Sequence, residues 1–297
     1  MRRAVLTFDI EEWFQVENLR SAFPRAAWEA GPRRVAEATR VVLDLLQAHE
    51  VRATFFVLGW VGDRDPQLLR EIVARGHEVA CHGYGHVLPM QLTEREFRED
   101  LARSRRVIED ATGRPVVGYR APSFSINERH LAILAECGFR YDSSFHPFSL
   151  HRRYGRLGQI GRELRRGIYR ADSGLIELSL PVERVGPASF PVSGGGYFRV
   201  LPWPVFRRLV QRSIVRDGHY VMYLHSWEFD PAQPRVGGVR IGARFRHYHN
   251  LTRTRPRLER LIRQLRMLDA RFVTAHEFVD ELTGPAIRIP EWAAHAR

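Results

Sequence analysis

The sequence predicts an α/β protein, built either as an α/β barrel or as a doubly wound parallel sheet. Short β-rich runs alternate with amphipathic helical runs along the chain, the pattern shared by those two architectures. Its 297 residues are enough to bury a large core. Polar clusters fall where the strand-like runs end, and the ends of parallel strands converge on one face of such folds.

Ala4–Asp9 is an apolar run and reads as the first strand. Arg33–His49 puts Val35, Ala38, Val42, Leu45 and Leu46 on one helical stripe. Arg52–Leu58 is a buried strand, Pro66–Ala74 a helix ended by Gly76, and His77–Cys81 the third strand. Thr93-Glu94-Arg95-Glu96 is a capping box, with Thr93 at N-cap and Glu96 at N3. It opens a helix to about Ala111, and Val116–Tyr119 is the next strand. Asn127 caps a helix that ends near Cys137-Gly138, with a strand at Phe139–Asp142 behind it.

Residues from about 143 to 200 read as a loop-rich insertion, rich in Gly, Pro and Arg, with strand-like patches at Leu175–Leu180. A segment of this length inside a compact domain is more often functional than idle. Pro204–Val215 follows as a helix, Tyr220–His225 as a strand and Arg255–Leu268 as a helix. Phe272-Val273-Thr274 is a last strand, followed by a short helix from Ala275. No internal repeat or boundary divides the chain, which gives one domain at 1–284 and a surface arm at 285–297.

The net charge of +12 suggests at first a nucleic-acid or membrane partner. All 46 basic residues, however, are arginine, scattered along a chain without lysine. That pattern points to biased codon usage rather than to a nucleic-acid-binding surface. Contact with anionic glycan or lipid head groups stays open. Two cysteines, Cys81 and Cys137, are too few for a disulfide scaffold. Strand alternation puts Cys81 on the face opposite to His82, away from any ligand set. No run of eighteen apolar residues exists to span a membrane. Met1-Arg2-Arg3 leads straight into the first strand without a signal-peptide pattern, so a cytoplasmic enzyme is expected, with peripheral membrane contact open.

The chemistry collects at the strand ends. His82 and His86 flank Gly83-Tyr84-Gly85 after the third strand, and glycines let backbone approach an ion closely. Asp9 and Glu11 share one side of an extended backbone. Two neutral imidazoles and a carboxylate form a common catalytic zinc set with an open water position, and a second carboxylate can take that water's proton. Glu11 is the first choice as ligand, and Glu12 competes with it. Arg120, just beyond a strand, suits the task of orienting Asp9 and keeping it ionised. His225 ends a buried strand and suits the proton donor that a leaving amine needs.

These residues resemble the polysaccharide deacetylases of carbohydrate esterase family four, the NodB homology group, from Leu6 to about Pro231. Thr7-Phe8-Asp9-Ile10-Glu11 resembles the family's first motif, whose leading aspartate is the catalytic base. His82 to His86 resembles the second, the metal histidines. Arg120-Ala121-Pro122 resembles the third, implying that Arg120 positions the base and that the Ser123 amide helps bind the oxyanion. Leu224-His225 resembles the fifth, with His225 as catalytic acid. The fourth motif supplies an aspartate supporting that acid, and Asp142 is the candidate.

One departure stands out. The common first motif has two adjacent aspartates, whereas here Ile10 follows Asp9. A residue between two acids is similar to a subgroup holding some peptidoglycan deacetylases and cofactor-free amidohydrolases, in which metal dependence is less uniform. The runs Ser193-Gly194-Gly195-Gly196-Tyr197-Phe198-Arg199 and His225 to Pro231 resemble the branch associated with exopolysaccharide gene clusters and exosortase sorting. The resemblance implies a distorted (β/α)7 barrel.

The expected activity is N-deacetylation of a bacterial glycan or its precursor, with zinc held by Glu11, His82 and His86. Trp60, Trp227, Tyr197 and Tyr84 are candidates for stacking on sugar rings, and the insertion is expected to bring Tyr197 to the metal face. The alternatives are a related hydrolase of a small linear or cyclic amide, without metal, and a silent carbohydrate-binding module.

Overall fold

The computed structural model describes residues 1–148, 157–158, 160–186 and 188–284; the arm expected at 285–297 and part of the expected insertion lie outside them. Along the first half run β1 (Arg2–Ile10), α1 (Val35–Ala48), β2 (Thr54–Val57), α2 (Gly59–Arg64), α3 (Pro66–Ala74), β3 (Glu78–Cys81), α4 (Glu94–Thr112), β4 (Gly118–Tyr119), α5 (Glu128–Glu136) and β5 (Tyr141–Asp142). The second half holds β6 (Arg162–Arg165), β7 (Ile168–Arg170), β8 (Ile176–Leu178), β9 (Val182–Val185), β10 (Ala188–Pro191), α6 (Gly195–Val200), α7 (Trp203–Asp217), β11 (His219–His225), α8 (Ile241–Tyr248), α9 (Thr254–Met267), β12 (Ala270–Phe272) and α10 (Ala275–Thr283).

The main sheet runs in the order β11-β1-β2-β3-β4-β5-β8-β7-β6, with β12 also paired to β1. From β11 to β8 every neighbouring pair is parallel, and β7 and β6 extend the sheet antiparallel. The fold is a mixed α/β barrel of the distorted, incompletely closed (β/α)7 kind. Parallel strands in such a fold are covered on both faces, which is why the runs are almost continuously apolar.

Alternation on β1 sets the layers. Ala4, Leu6, Phe8 and Ile10 pack into the outer cluster with the helices, while Val5 joins an inner cluster with Phe56, Ala80, Val117, Tyr141 and Val221. Thr7 and Asp9 share the inner side with Val5, so the strand turns polar inside as it nears its C-terminal end. α10 sends Phe278 and Val279 into the same inner cluster.

Helix signals read from sequence are realised at their caps. The Thr93 side chain accepts the Glu96 amide and Glu96 reaches back to Thr93, while Asn127 accepts the His130 amide. The segment at 143–200 holds more order than its composition suggests, because β8 is one of the parallel strands and pairs directly with β5. Among the described residues no helix is long and apolar enough to cross a membrane.

Candidate metal-centred active site

The ends of β1, β3, β4 and β11 open onto one cleft of about 630 Å³, lined by Asp9, Glu11, His82, His86, Ser123 and His225 among others. Parallel register brings the first two groups together, since Asp9 on β1 pairs directly with His225 on β11. Six non-glycine residues adopt positive φ among the described residues, and His86, Ser123 and Phe124 are three of them, at +51°, +52° and +57°. All three line this cleft. A left-handed backbone costs an ordinary residue about 1–2 kcal/mol, and strain of that kind gathers where geometry serves a site.

Asp9 is held from one side. Arg120, fully buried, donates from Nη1 to Asp9 Oδ1 at 2.8 Å and to Thr7 Oγ1 at 2.8 Å. Its remaining donors reach the Ser143 carbonyl at 3.0 Å and the Ser143 hydroxyl at 2.9 Å. The guanidinium lies 4.1 Å over the Phe56 ring. The other carboxylate oxygen, Oδ2, faces the site, 3.9 Å from both His82 Nε2 and His225 Nε2.

Ligand geometry centres on Glu11. Its Oε1 accepts the Trp227 indole N–H at 3.2 Å, and its Oε2 lies 3.0 Å from His86 Nε2 yet makes no hydrogen bond of good geometry. His82 Nδ1 lies 2.8 Å from the Arg120 carbonyl, which can only accept, so Nδ1 carries the proton and Nε2 turns a lone pair to the site. Burial lowers the His82 imidazole and keeps it neutral, as ligation requires. One ligand atom from each of Glu11, His82 and His86 falls within 4.8 Å of the others. Four-coordinate zinc with bonds of roughly 2.0–2.2 Å spaces its ligands about 3.4 Å apart. An orphaned buried carboxylate oxygen beside two imidazoles therefore fits a divalent cation. Burial alone would raise the Glu11 carboxyl, but His86 chiefly, with His225 and His82, holds it at about 2.

Glu12 points elsewhere. Its carboxylate accepts the Arg34 amide at 3.0 and 2.9 Å at the start of α1, and burial pushes it up to about 7. It closes a helix end whose first amides need acceptors. Cys81 lies on the far face as expected, its thiol bonded to the Ser104 hydroxyl at 3.3 Å and pushed up to about 12 by burial.

His225 is oriented by a residue that sequence reasoning missed. Its Nδ1 lies 2.8 Å from Glu228 Oε1, and the same oxygen accepts the His225 amide at 3.1 Å. Arg199 donates to Glu228 Oε2 at 2.7 Å. Burial lowers the His225 imidazole, but the bond to Glu228 and the charges of Glu11, Glu228 and Asp9 outweigh it and raise it to about 9. Glu228 is raised by burial and brought down to about 2 by Arg199 and His225. A β-carbon on Gly195 would stand 2.0 Å from the Glu228 carboxylate oxygens, which explains a side-chain-free residue in Ser193-Gly194-Gly195-Gly196.

Asp142 is not brought to His225. It accepts the Ser144 hydroxyl at 2.6 Å and the Ser144 amide at 3.2 Å, beside Glu177 on β8. Ser144 in turn accepts the Ala121 amide at 2.7 Å, so this carboxyl pair supports the turn after Arg120. The signal for Glu228 was legible: His225-Ser226-Trp227-Glu228 has capping-box spacing, with a histidine at the N-cap.

Of the aromatic candidates, Tyr197 lines the cleft from α6 and packs against Phe148 at 5.9 Å. Trp227 borders it but stacks on His225 at 5.0 Å and His247 at 4.2 Å and is 5% exposed, so its rings are already used. Trp60 packs edge-on to Trp28 and Phe14 in the core. Tyr84 binds Asp63 at 2.6 Å under the guanidinium of Arg103, away from the cleft. Phe124, Tyr223, Arg240 and Arg246 also line the cleft without having been expected.

Comparison with known proteins agrees with this architecture. Residues 3–141 match the family model Polysaccharide deacetylase, and residues 143–279 match a domain of unknown function, DUF3473. A peptidoglycan deacetylase of Helicobacter pylori is 32% identical over 117 residues, 39% of this chain and 40% of that protein. The chain thus spans well under half of that relative. A putative polysaccharide deacetylase from Mycobacterium smegmatis superposes with a TM-score of 0.58 at 21% identity, covering 98% of this chain and 95% of that one. A CE4 family pseudoenzyme from Bacillus anthracis superposes with a TM-score of 0.53 at 17% identity, covering 94% and 66%.

Proposed function

We propose that the chain, whose residues 3–141 match the polysaccharide deacetylase family model, is a metal-dependent amidohydrolase removing acetyl groups from N-acetylated sugars of a bacterial polysaccharide or its precursor. One observation carries this reading. Glu11, His82 and His86 cluster between a carboxylate with one free oxygen and a histidine with a buried carboxylate behind it.

A divalent ion held by those three residues, zinc in this reading, would polarise the acetyl carbonyl and acidify a water molecule. Asp9 Oδ2 accepts the proton of the attacking water, because Arg120 already occupies Oδ1. Attack on the amide carbon moves charge onto the former carbonyl oxygen, and the Ser123 amide at the cleft wall stabilises it. His225 gives the Nε2 proton to the departing sugar nitrogen as the carbon–nitrogen bond breaks. Acetate and a free amine result. Glu228 keeps His225 protonated until that step.

The cleft argues for a glycan over a small amide. It continues past Arg240 and Arg246 into a second concavity of about 920 Å³, room for several sugar rings. A silent binding role would need neither Asp9 nor His225, and both are oriented by buried charged partners.

The test is acetate release from N-acetylglucosamine oligomers and peptidoglycan fragments by the zinc-loaded chain, with a chelated control. Release that stops on chelation and returns with zinc supports the reading. Unaffected release favours metal-free hydrolysis, and no release from zinc-bound protein on any glycan favours a binding module.

A further inference from the structure

The catalytic cleft does not end at the metal-type cluster. Its outer wall is shared with the second concavity through Glu17, Asn18, Arg240 and Arg246, and that concavity adds Arg20, Ser21 and the first turn of α8. The two spaces form one groove with two arginines at the waist. Their charges are not balanced locally. Glu17 is taken by Arg20 at 2.6 Å, and Glu228 by Arg199 at 2.7 Å. Among the described residues neither Arg240 nor Arg246 has an ion-pair partner, whereas most arginines near the cleft do.

Their position is tied to the reacting centre. Arg199, which grips Glu228, also donates to the carbonyls of Arg246 at 2.8 Å and His247 at 3.2 Å. One buried guanidinium therefore fixes α8 relative to the residue that orients the catalytic acid. Arg246 lines the same cleft as Tyr197, the aromatic residue contributed by α6. Guanidinium groups match carboxylate and phosphate by paired N–H donors. Two of them, unpaired and facing the space beyond the acetylated sugar, make little sense against a neutral chain.

Resting on the deacetylase reading, we propose that the natural glycan carries an anion close to the N-acetylated residue, and that Arg240 and Arg246 bind it. The anion is a carboxylate on a neighbouring acidic sugar or a phosphate at the reducing end. In either case the two arginines choose the substrate and its register, while the centre at Glu11, His82 and His86 performs a reaction that does not depend on them.

Binding isolates the idea from turnover. Dissociation constants are measured by calorimetry on the full chain, as the Asp9→Asn variant and as chelated wild type. The probes are a neutral N-acetylglucosamine tetramer, a tetramer alternating N-acetylglucosamine with glucuronate, and an N-acetylglucosamine oligomer with a reducing-end phosphate. One anionic probe should bind about tenfold tighter than the neutral one at low salt, the worth of two exposed charge-assisted bonds, and the gap should shrink at high salt. Whichever anionic probe gains identifies the source of the charge. Arg240→Gln with Arg246→Gln should bring the anionic probe to the affinity of the neutral one. Equal binding of all three, or a preference that survives the double substitution, overturns the proposal. Acetate release from neutral and anionic glycans with equal kcat/KM would overturn it too while leaving the deacetylase reading intact.

Discussion

Glu228 Oε1 meets Nδ1 of His225 at 2.8 Å, and the pair lies three residues apart on one short turn. A carboxylate beside one imidazole nitrogen favours protonation of the ring and leaves the other nitrogen free to give its proton. Arg199 behind it prevents the carboxylate from taking that proton itself.

The pH profile should report this pair. His225 is held at about 9, so its acid form is present below that pH and lost as pH rises through it. Glu228→Gln removes both the bond and the charge. The alkaline limb of kcat should move down by about two units, with activity at pH 8 falling about tenfold. An alkaline limb that stays in place would show that His225 is not the acid.

Asp9→Asn and His82→Ala should separate base from ligand. The first should keep zinc content near wild type and lower turnover by about two to four orders of magnitude. The second should lose the metal. Zinc analysis after dialysis against buffered zinc decides this, and loss of zinc from Asp9→Asn would make Asp9 the ligand.

The two glutamates after Ile10 should behave differently. Glu11→Gln should weaken zinc binding by tenfold or more, because a charged ligand is replaced by a neutral amide. Glu12→Gln should leave zinc affinity unchanged, since its oxygens accept the Arg34 amide at the head of α1. Equal zinc loss in both would contradict the assigned geometry.

Asp142 and Glu177 should register in stability. Burial raises both carboxyls, and their closeness raises Glu177 further. The folded state then binds more protons than the unfolded chain, whose carboxyls ionise near pH 4. Stability is therefore full below that pH and falls as pH rises toward the folded pKa values. Asp142→Asn removes one ionisation, so its Tm should gain on wild type between pH 5 and 8. The alkaline limb of kcat should be unaffected, in contrast to Glu228→Gln.

Gly195→Ala tests the support of the acid. The added methyl would meet the Glu228 carboxylate at 2.0 Å. Turnover should drop toward that of Glu228→Gln while zinc content holds. Wild-type kcat in this variant would mean that Glu228 moves freely without consequence.

Much of this site was legible because parallel strands carry their chemistry to one end. Asp9, Glu11, His82, His86, Arg120 and His225 needed only strand positions to be grouped, and they share one cleft or bond a group that lines it. Glu228 was missed because strand positions alone do not show it: a turn brings the third residue back onto the strand end, a reversal signalled only by the capping-box spacing from His225. Asp142 misled because its strand ends beside β8, a neighbour recruited from the loop-rich segment and invisible to local pattern. Trp60 and Tyr84 misled because ring type does not reveal which layer a ring occupies: Trp60 is committed to Phe14 and Trp28 in the segment between β1 and α1, and Tyr84 to Asp63 and Arg103 on α2 and α4.

The pairing of β1 has a consequence for biosynthesis. One edge is completed by β11 and the other by β2 and β12 in turn, so the first strand made receives its last partners from residues 219–225 and 270–272. At about 5–20 residues per second, a ribosome needs roughly ten to forty seconds to reach β11 after finishing β1. During that interval Ala4-Val5-Leu6-Thr7-Phe8 presents an open apolar edge. A nascent chain stopped near residue 142 would hold the three candidate ligands without His225, and would keep that edge bare. Such a fragment is a template for intermolecular strand pairing rather than a smaller enzyme.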